Sequence, residues 1–121
     1  MKIYISHSRA FDFKAELYQP LKNSDLAQKH QFIFSHDKSD DLFDVEKSLT
    51  DDKIDLVVAE VSHPSTGQGM ELAWSNAKGI KILCFYKIGS EFSSSLNKVS
   101  QEFIQYKNSE ELVLKLSKIL L

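Results

Sequence analysis

The sequence predicts an α/β protein, a flavodoxin-like (Rossmann-like) three-layer sandwich around a five-stranded parallel sheet. Three observations carry that expectation. Short runs rich in β-branched and aromatic residues alternate with segments of helical spacing from one end of the chain to the other. Two of the runs, LVVAEV and IKILCFY, are apolar almost without interruption, as strands covered on both faces are. The 121 residues, 42% hydrophobic and 26% charged, suffice for one core, and Gly 4 with Pro 2 leaves no flexible linker, so a single domain over 1–121 is expected.

The elements follow in order. Lys2–Ile5 is the first strand, and Phe13, Leu17 and Leu21 recur every four residues as one face of a helix. Gln31–Phe34 is the second strand, followed by a helix marked by Leu42, Val45 and Leu49. Asp55–Val61 is the third strand, with Met70, Leu72, Trp74 and Ala77 on the helix after it. Ile80–Tyr86 is the fourth strand, Phe92–Val99 a weaker helix, Glu102–Tyr106 the fifth strand, and Leu112, Leu116 and Ile119 the apolar face of a last helix. Such sheets take ligands beyond the carboxyl ends of their strands, where the strand order reverses. The loops Ser6–Asp12, Ser62–Gly69 and Lys87–Ser95 are therefore expected to hold the site.

Composition excludes several classes of partner. Lys+Arg 15 against Asp+Glu 17 gives a formal charge of -2, with no basic cluster of the density that nucleic acid polymers require. Cys84 is the single cysteine, so no internal disulfide forms, and a reducing cytoplasm is the expected location. The opening MKIYISHSRAFDF lacks a signal-peptide stretch, and no window approaches the roughly 20 apolar residues of a membrane span. The four histidines and one cysteine show no ligand spacing, so neither metal nor cofactor is expected.

Chemistry concentrates in two loops. Ser6, His7, Ser8 and Arg9, the only arginine, offer hydroxyls, backbone N–H groups and a guanidinium suited to a phosphate or a ribose. The third loop reads Ser62-His63-Pro64-Ser65-Thr66-Gly67-Gln68-Gly69-Met70-Glu71-Leu72. Gly67 and Gly69 let backbone approach a ligand before a helix begins, which puts Glu71 in that helix's first turn. A carboxylate there gains about 0.3–1 kcal/mol from the helix dipole. By spacing alone, that local stabilisation explains Glu71 better than chemistry does.

The stretch DLVVAEVSHPSTGQGMELAW, Asp55–Trp74, followed by KGIKILCFYK, resembles the nucleoside 2-deoxyribosyltransferase superfamily, and most closely its 2′-deoxynucleoside 5′-phosphate N-hydrolase branch. The shared pattern is AEV-x-x-PS-x-G-x-G-x-EL. The resemblance implies Glu71 as a nucleophile that attacks the anomeric carbon and forms a covalent glycosyl intermediate, later released by water or a second base. It further implies that Ser65, six residues before Glu71, contacts a 5′-phosphate, with Ser8 and Arg9 on the phosphate side and Tyr4 at the sugar. Ser95 falls where the family supplies a serine from a neighbouring subunit, so a homodimer is expected.

Two departures stand out. The family's assisting aspartate, twenty-four residues before the nucleophile, is Lys47 here, leaving Asp44 and Glu46 as the candidate acids. The first loop has His7 where the family has glycine. His63 is read as a surface residue or a pocket wall, and His36-Asp37 as base contacts or a helix cap. Trp74 is read as core rather than a stacking surface, and Glu60 as the strand end that fastens the Ser62–Gly69 loop.

Four functions compete at this point. An N-glycosidase acting on a (deoxy)nucleoside 5′-monophosphate leads, beside a base-exchanging deoxyribosyltransferase and a non-catalytic nucleotide sensor. The fourth, from Tyr4-Ile5-Ser6-His7-Ser8, is an NAD glycohydrolase like some Toll/interleukin-receptor-type domains.

Overall fold

The computed structural model describes residues 1–36 and 53–121. Its strands are β1 (Lys2–His7), β2 (Gln31–Phe34), β3 (Leu56–Glu60), β4 (Lys81–Lys87) and β5 (Glu102–Tyr106), and its longer helices are α3 (Thr66–Ala77) and α4 (Ser109–Ile119). The two short helices α1 (Gln19–Lys22) and α2 (Leu26–Lys29) join β1 to β2. The order is β2-β1-β3-β4-β5, every pairing parallel, which is the flavodoxin-like arrangement the sequence predicts.

Each face of the sheet carries its own core. Successive residues of a strand point to opposite faces. Thus Ile3, Ile5, Leu56, Val58, Leu83 and Phe85 pack with Leu17, Leu21, Leu112 and Leu116 on one side. Tyr4, Val57, Ala59, Ile82 and Cys84 pack with Leu72 on the other. All five residues of β3 are buried, as its nearly continuous apolar run leads one to expect, and Glu60 at its end is buried with them. Trp74 is partly buried against the second cluster, the core role expected of it.

Three local details differ from expectation. The first helix begins as a π turn, Lys14–Tyr18, before α1. Pro20 explains it, since proline has no N–H to give to the carbonyl four residues back, that of Glu16. The Ser109 hydroxyl takes up that carbonyl instead, at 2.6 Å. The expected helix over Phe92–Val99 shortens to a 3-10 turn, Ser94–Lys98. α3 starts at Thr66, ahead of both glycines, because the Ser65 hydroxyl accepts the Gln68 N–H as an N-cap. The helix predicted around Leu42, Val45 and Leu49 lies outside the described residues. Gly79, at φ +75, turns the chain from α3 into β4, a conformation that L side chains resist.

Candidate active site

Ser6 and Glu71 meet where the strand order reverses. The chain passes from β1 outward to β2, then returns to β3 on the other flank of β1. The crevice between β1 and β3 is therefore the switch point, and α3 comes back over it from β3. The Ser6 hydroxyl donates to Glu71 Oε2 at 2.7 Å. Strand alternation puts Tyr4 on the same face as Ser6, and helical spacing puts Glu71 on the side of α3 that carries buried Gln68, Leu72 and Ser75.

Burial pushes the Glu71 carboxyl from an ordinary 4.5 up to about 7, and the Ser6 hydrogen bond, then a weaker contact from Tyr4, offset part of the rise. Burial, followed by the Glu71 charge, raises the Tyr4 phenol and keeps it protonated. Tyr4 is 1% exposed, yet its hydroxyl completes no hydrogen bond among the described residues. Its neighbours are Glu71 and the Ser35 hydroxyl, just beyond β2. A carboxyl that titrates near neutrality in a crevice can serve as nucleophile or base when ionised and as acid when protonated.

Glu71 is the sixth residue of α3, in its second turn, and no acidic residue occupies the first. This corrects its expected placement and weakens the dipole explanation, because the helix field falls off within the first turn. Burial and the Ser6 hydrogen bond set the state of this carboxyl instead.

Beside the start of α3 lies a cavity of about 330 Å³ whose walls include Ser65, Gln68 and Gly69 from α3 and its cap, and Ser93, Ser95 and Leu96 from the turn after β4. Ser65 and Ser95 of one and the same chain thus share it. A Cβ built on Gly67 or Gly69 meets nothing within 4 Å, so the space before them is open. Glu71 and Ser6 do not line this cavity. Cavity and carboxyl share α3 but no wall.

The loop joining β3 to α3 is fastened by Glu60, which is 3% exposed. Glu60 Oε1 accepts the Ser62 N–H at 2.7 Å, and Oε2 accepts the Ser62 hydroxyl at 2.8 Å and the Tyr106 hydroxyl in a short contact. The Ser62 oxygen in turn accepts the Lys87 N–H at 2.8 Å, and Gln68 Nε2 donates to the Glu60 carbonyl at 2.9 Å. Glu60, through its carboxylate, its backbone carbonyl and Ser62, thereby ties β3, β4, β5 and α3 together at the carboxyl end of the sheet. Burial, then the Glu60 hydrogen bond and charge, keep the Tyr106 phenol protonated.

Of the first-loop candidates, Ser6 reaches Glu71. Alternation along β1 turns the His7 ring to the opposite face from Ser6, where it stacks on Phe13 with centroids 4.3 Å apart. Its Nε2 faces the Tyr18 hydroxyl at 2.6 Å and its Nδ1 the Ser8 carbonyl at 2.8 Å. Burial lowers the imidazole to about 4, so it is neutral at physiological pH. Ser8 is buried, its hydroxyl accepting the Ala10 N–H at 3.0 Å, whereas Arg9 is exposed. His63 is half-buried and stacks on Phe11 at 5.3 Å, bridging the first and third loops. His36 lies edge-on to His7 at 5.5 Å.

Asp37, Asp44, Glu46 and Lys47 lie outside the described residues. Three participants escaped the sequence reading: Ser35, Tyr106 and Gln68. The S-x-x-Q spacing of Ser65 and Gln68 is a capping-box signal that locates the helix start. Ser35 and Tyr106 carry no local signal, since each reaches the site through strand register. Among the described residues, no three His, Cys, Asp or Glu side chains gather as a metal site, and no helix is long and apolar enough to cross a membrane.

No protein-family model matches the chain. Over 37 residues, 31% of this chain, the sequence is 54% identical to a Syntrophotalea carbinolica protein named "Putative 2'-deoxynucleoside 5'-phosphate N-hydrolase 1". The match spans about a quarter of that relative, 26% of its length. The structure of the Clostridium botulinum CMP N-glycosidase superposes with a TM-score of 0.67 at 20% identity, covering 97% of this chain and 99% of that one. In one segment of its sequence and in the whole of its fold, then, the chain resembles the nucleoside 2-deoxyribosyltransferase superfamily.

Proposed function

We propose that the protein is an N-glycosidase that hydrolyses the base–sugar bond of a (deoxy)nucleoside 5′-monophosphate, with Glu71 as nucleophile. The observation that carries this reading is the half-buried Glu71 carboxyl, held by Ser6 at the β1/β3 switch point. The named activities of the segment relative and of the structural neighbour, both on nucleotides, support the substrate class.

In the first step a Glu71 oxygen attacks C1′ of the sugar. The C1′–N bond breaks, and its electron pair leaves with the base, which takes up a proton. In the second step water adds to C1′ and gives a proton back to the group that protonated the base, the Glu71 ester bond breaks, and sugar 5-phosphate departs with the carboxylate restored. Asp44 or Glu46 is the proposed proton donor to the base. Tyr4 is proposed at the sugar, where its unpartnered hydroxyl would find an acceptor. The 5′-phosphate is assigned to Ser65, Gly67 and Gly69 at the start of α3, with Ser8 and Arg9 from the first loop. Backbone N–H groups and the positive end of the helix favour an anion there. Ser95 completes this phosphate side, in its own chain or across a homodimer. A cytoplasmic location belongs to the same proposal.

The test is incubation of purified protein with nucleoside and deoxynucleoside monophosphates, free nucleosides and NAD, reading released base by chromatography. Base release from monophosphates, abolished in Glu71→Ala, is expected. Base exchange with an added acceptor would make it a transferase, and nicotinamide release from NAD would redirect the substrate. Binding without turnover would leave a nucleotide sensor.

A further inference from the structure

We propose that Ser6 is a positioning residue for Glu71: its hydroxyl grips one carboxylate oxygen, Oε2, and leaves the other, Oε1, to face the substrate. The reaction in this statement rests on the N-glycosidase reading above; the grip itself does not.

The last torsion of a glutamate is broad and two-fold, so a carboxylate on a helix does not by itself present a particular oxygen. Here one oxygen is held. Ser6 is 1% exposed and belongs to β1, which is flanked by β2 and β3 and paired to both. Its Cα partner in β3 is Ala59, so the sheet fixes where the hydroxyl starts. A serine has a single proton to donate, and this one goes to Glu71 Oε2 at 2.7 Å. The bond strengthens when Glu71 ionises, because a hydroxyl donating to a carboxylate is charge-assisted. It therefore favours the ionised, nucleophilic form against the burial that opposes it. The other candidates near Glu71 do not duplicate the role. Tyr4 makes no completed hydrogen bond among the described residues, and the His7 ring is engaged by Tyr18 and Ser8 on the other face of β1.

The experiment compares Ser6→Ala and Ser6→Thr with the parent across pH. In Ser6→Ala, kcat on a nucleoside monophosphate is expected to fall about 10- to 100-fold, the usual effect of losing one hydrogen bond to a charged group. KM is expected to change by less than about threefold, since the Ser65 cavity is untouched. The acidic limb of kcat/KM moves to higher pH, and Ser6→Thr, which keeps the donor, restores it. A carbon-13 NMR titration of the Glu71 carboxyl in parent and Ser6→Ala reads the same interaction without turnover. A carboxyl that titrates higher in Ser6→Ala, with no nucleotide hydrolysed by the parent, supports the grip and overturns the N-glycosidase reading. An unmoved titration, or equal loss in the Ala and Thr variants with the limb in place, overturns the grip and leaves that reading standing.

Discussion

Replacing Glu71 by glutamine should change not only activity but also the pH dependence of stability. In the folded protein, burial holds the carboxyl at about 7 against an ordinary 4.5. Between those values the folded state binds more protons than the unfolded chain, so parental stability falls as pH rises through the window. At about 1.4 kcal/mol per pH unit, the interval amounts to about 3 kcal/mol, nearly all of it lost by pH 8. Glutamine has no charge to bury and keeps an oxygen to accept from Ser6, so its curve lacks this component. Urea unfolding of parent and Glu71→Gln at about pH 5 and pH 8 should therefore show the variant gaining about 2–3 kcal/mol on the parent between the two. Taking the difference removes every other titrating group, provided that its environment is unchanged. Parallel stability curves for the two proteins would refute the claim that this half-buried carboxyl is desolvated enough to be neutral at moderate pH. The structural account of its reactivity would fall with that claim.

Three further outcomes follow from the geometry. Gly69→Ala should raise stability by about 0.5–1 kcal/mol in chemical denaturation, since helix interiors favour alanine and nothing stands within 4 Å of the new Cβ; it should also weaken monophosphate binding in calorimetry, because Gly69 lines the cavity. Tyr106→Phe removes one donor from buried Glu60 and should cost about 1–3 kcal/mol of unfolding free energy, whereas Lys81→Ala, which breaks an exposed pair with Glu102, should cost less than about 1 kcal/mol. His7 has the opposite sign to Glu71. Its imidazole is lowered from 6.5 to about 4, so the unfolded chain binds more protons in that window, and the His7 contribution to stability is lost as pH falls through it. His7→Phe should flatten that acid loss in a thermal-melt series, and an unchanged slope would show the ring to be solvated.

The strands and the apolar faces of the helices were legible because they are local. A run such as LVVAEV declares burial on both faces within a few residues, and β3 is buried throughout. Glu60, an acid inside such a run, was legible as a loop fastener because a buried carboxylate needs donors, and Ser62 stands two residues away. Its other partner, Tyr106, arrives from β5 and left no trace in the neighbouring letters. The start of α3 was misread through its glycines, although the Ser65 to Gln68 spacing that caps the helix was in view. The same alternation that carries Ser6 to the crevice carries His7 away from it. Neighbours in a strand thus face different surroundings, which sequence proximity alone does not reveal.

The sequence by itself determined the layer architecture, the parallel sheet and the loops in which chemistry gathers, because periodicity and residue type act over a few neighbours. Only the tertiary structure decided the state of the candidate nucleophile. Ser6 and Glu71 stand 65 residues apart in the chain, and only the return of α3 across the β1/β3 crevice brings them to 2.7 Å. The ionisation of Glu71 follows from what surrounds it in space, burial first and hydrogen bonding second, and neither is a property of its neighbours in the chain.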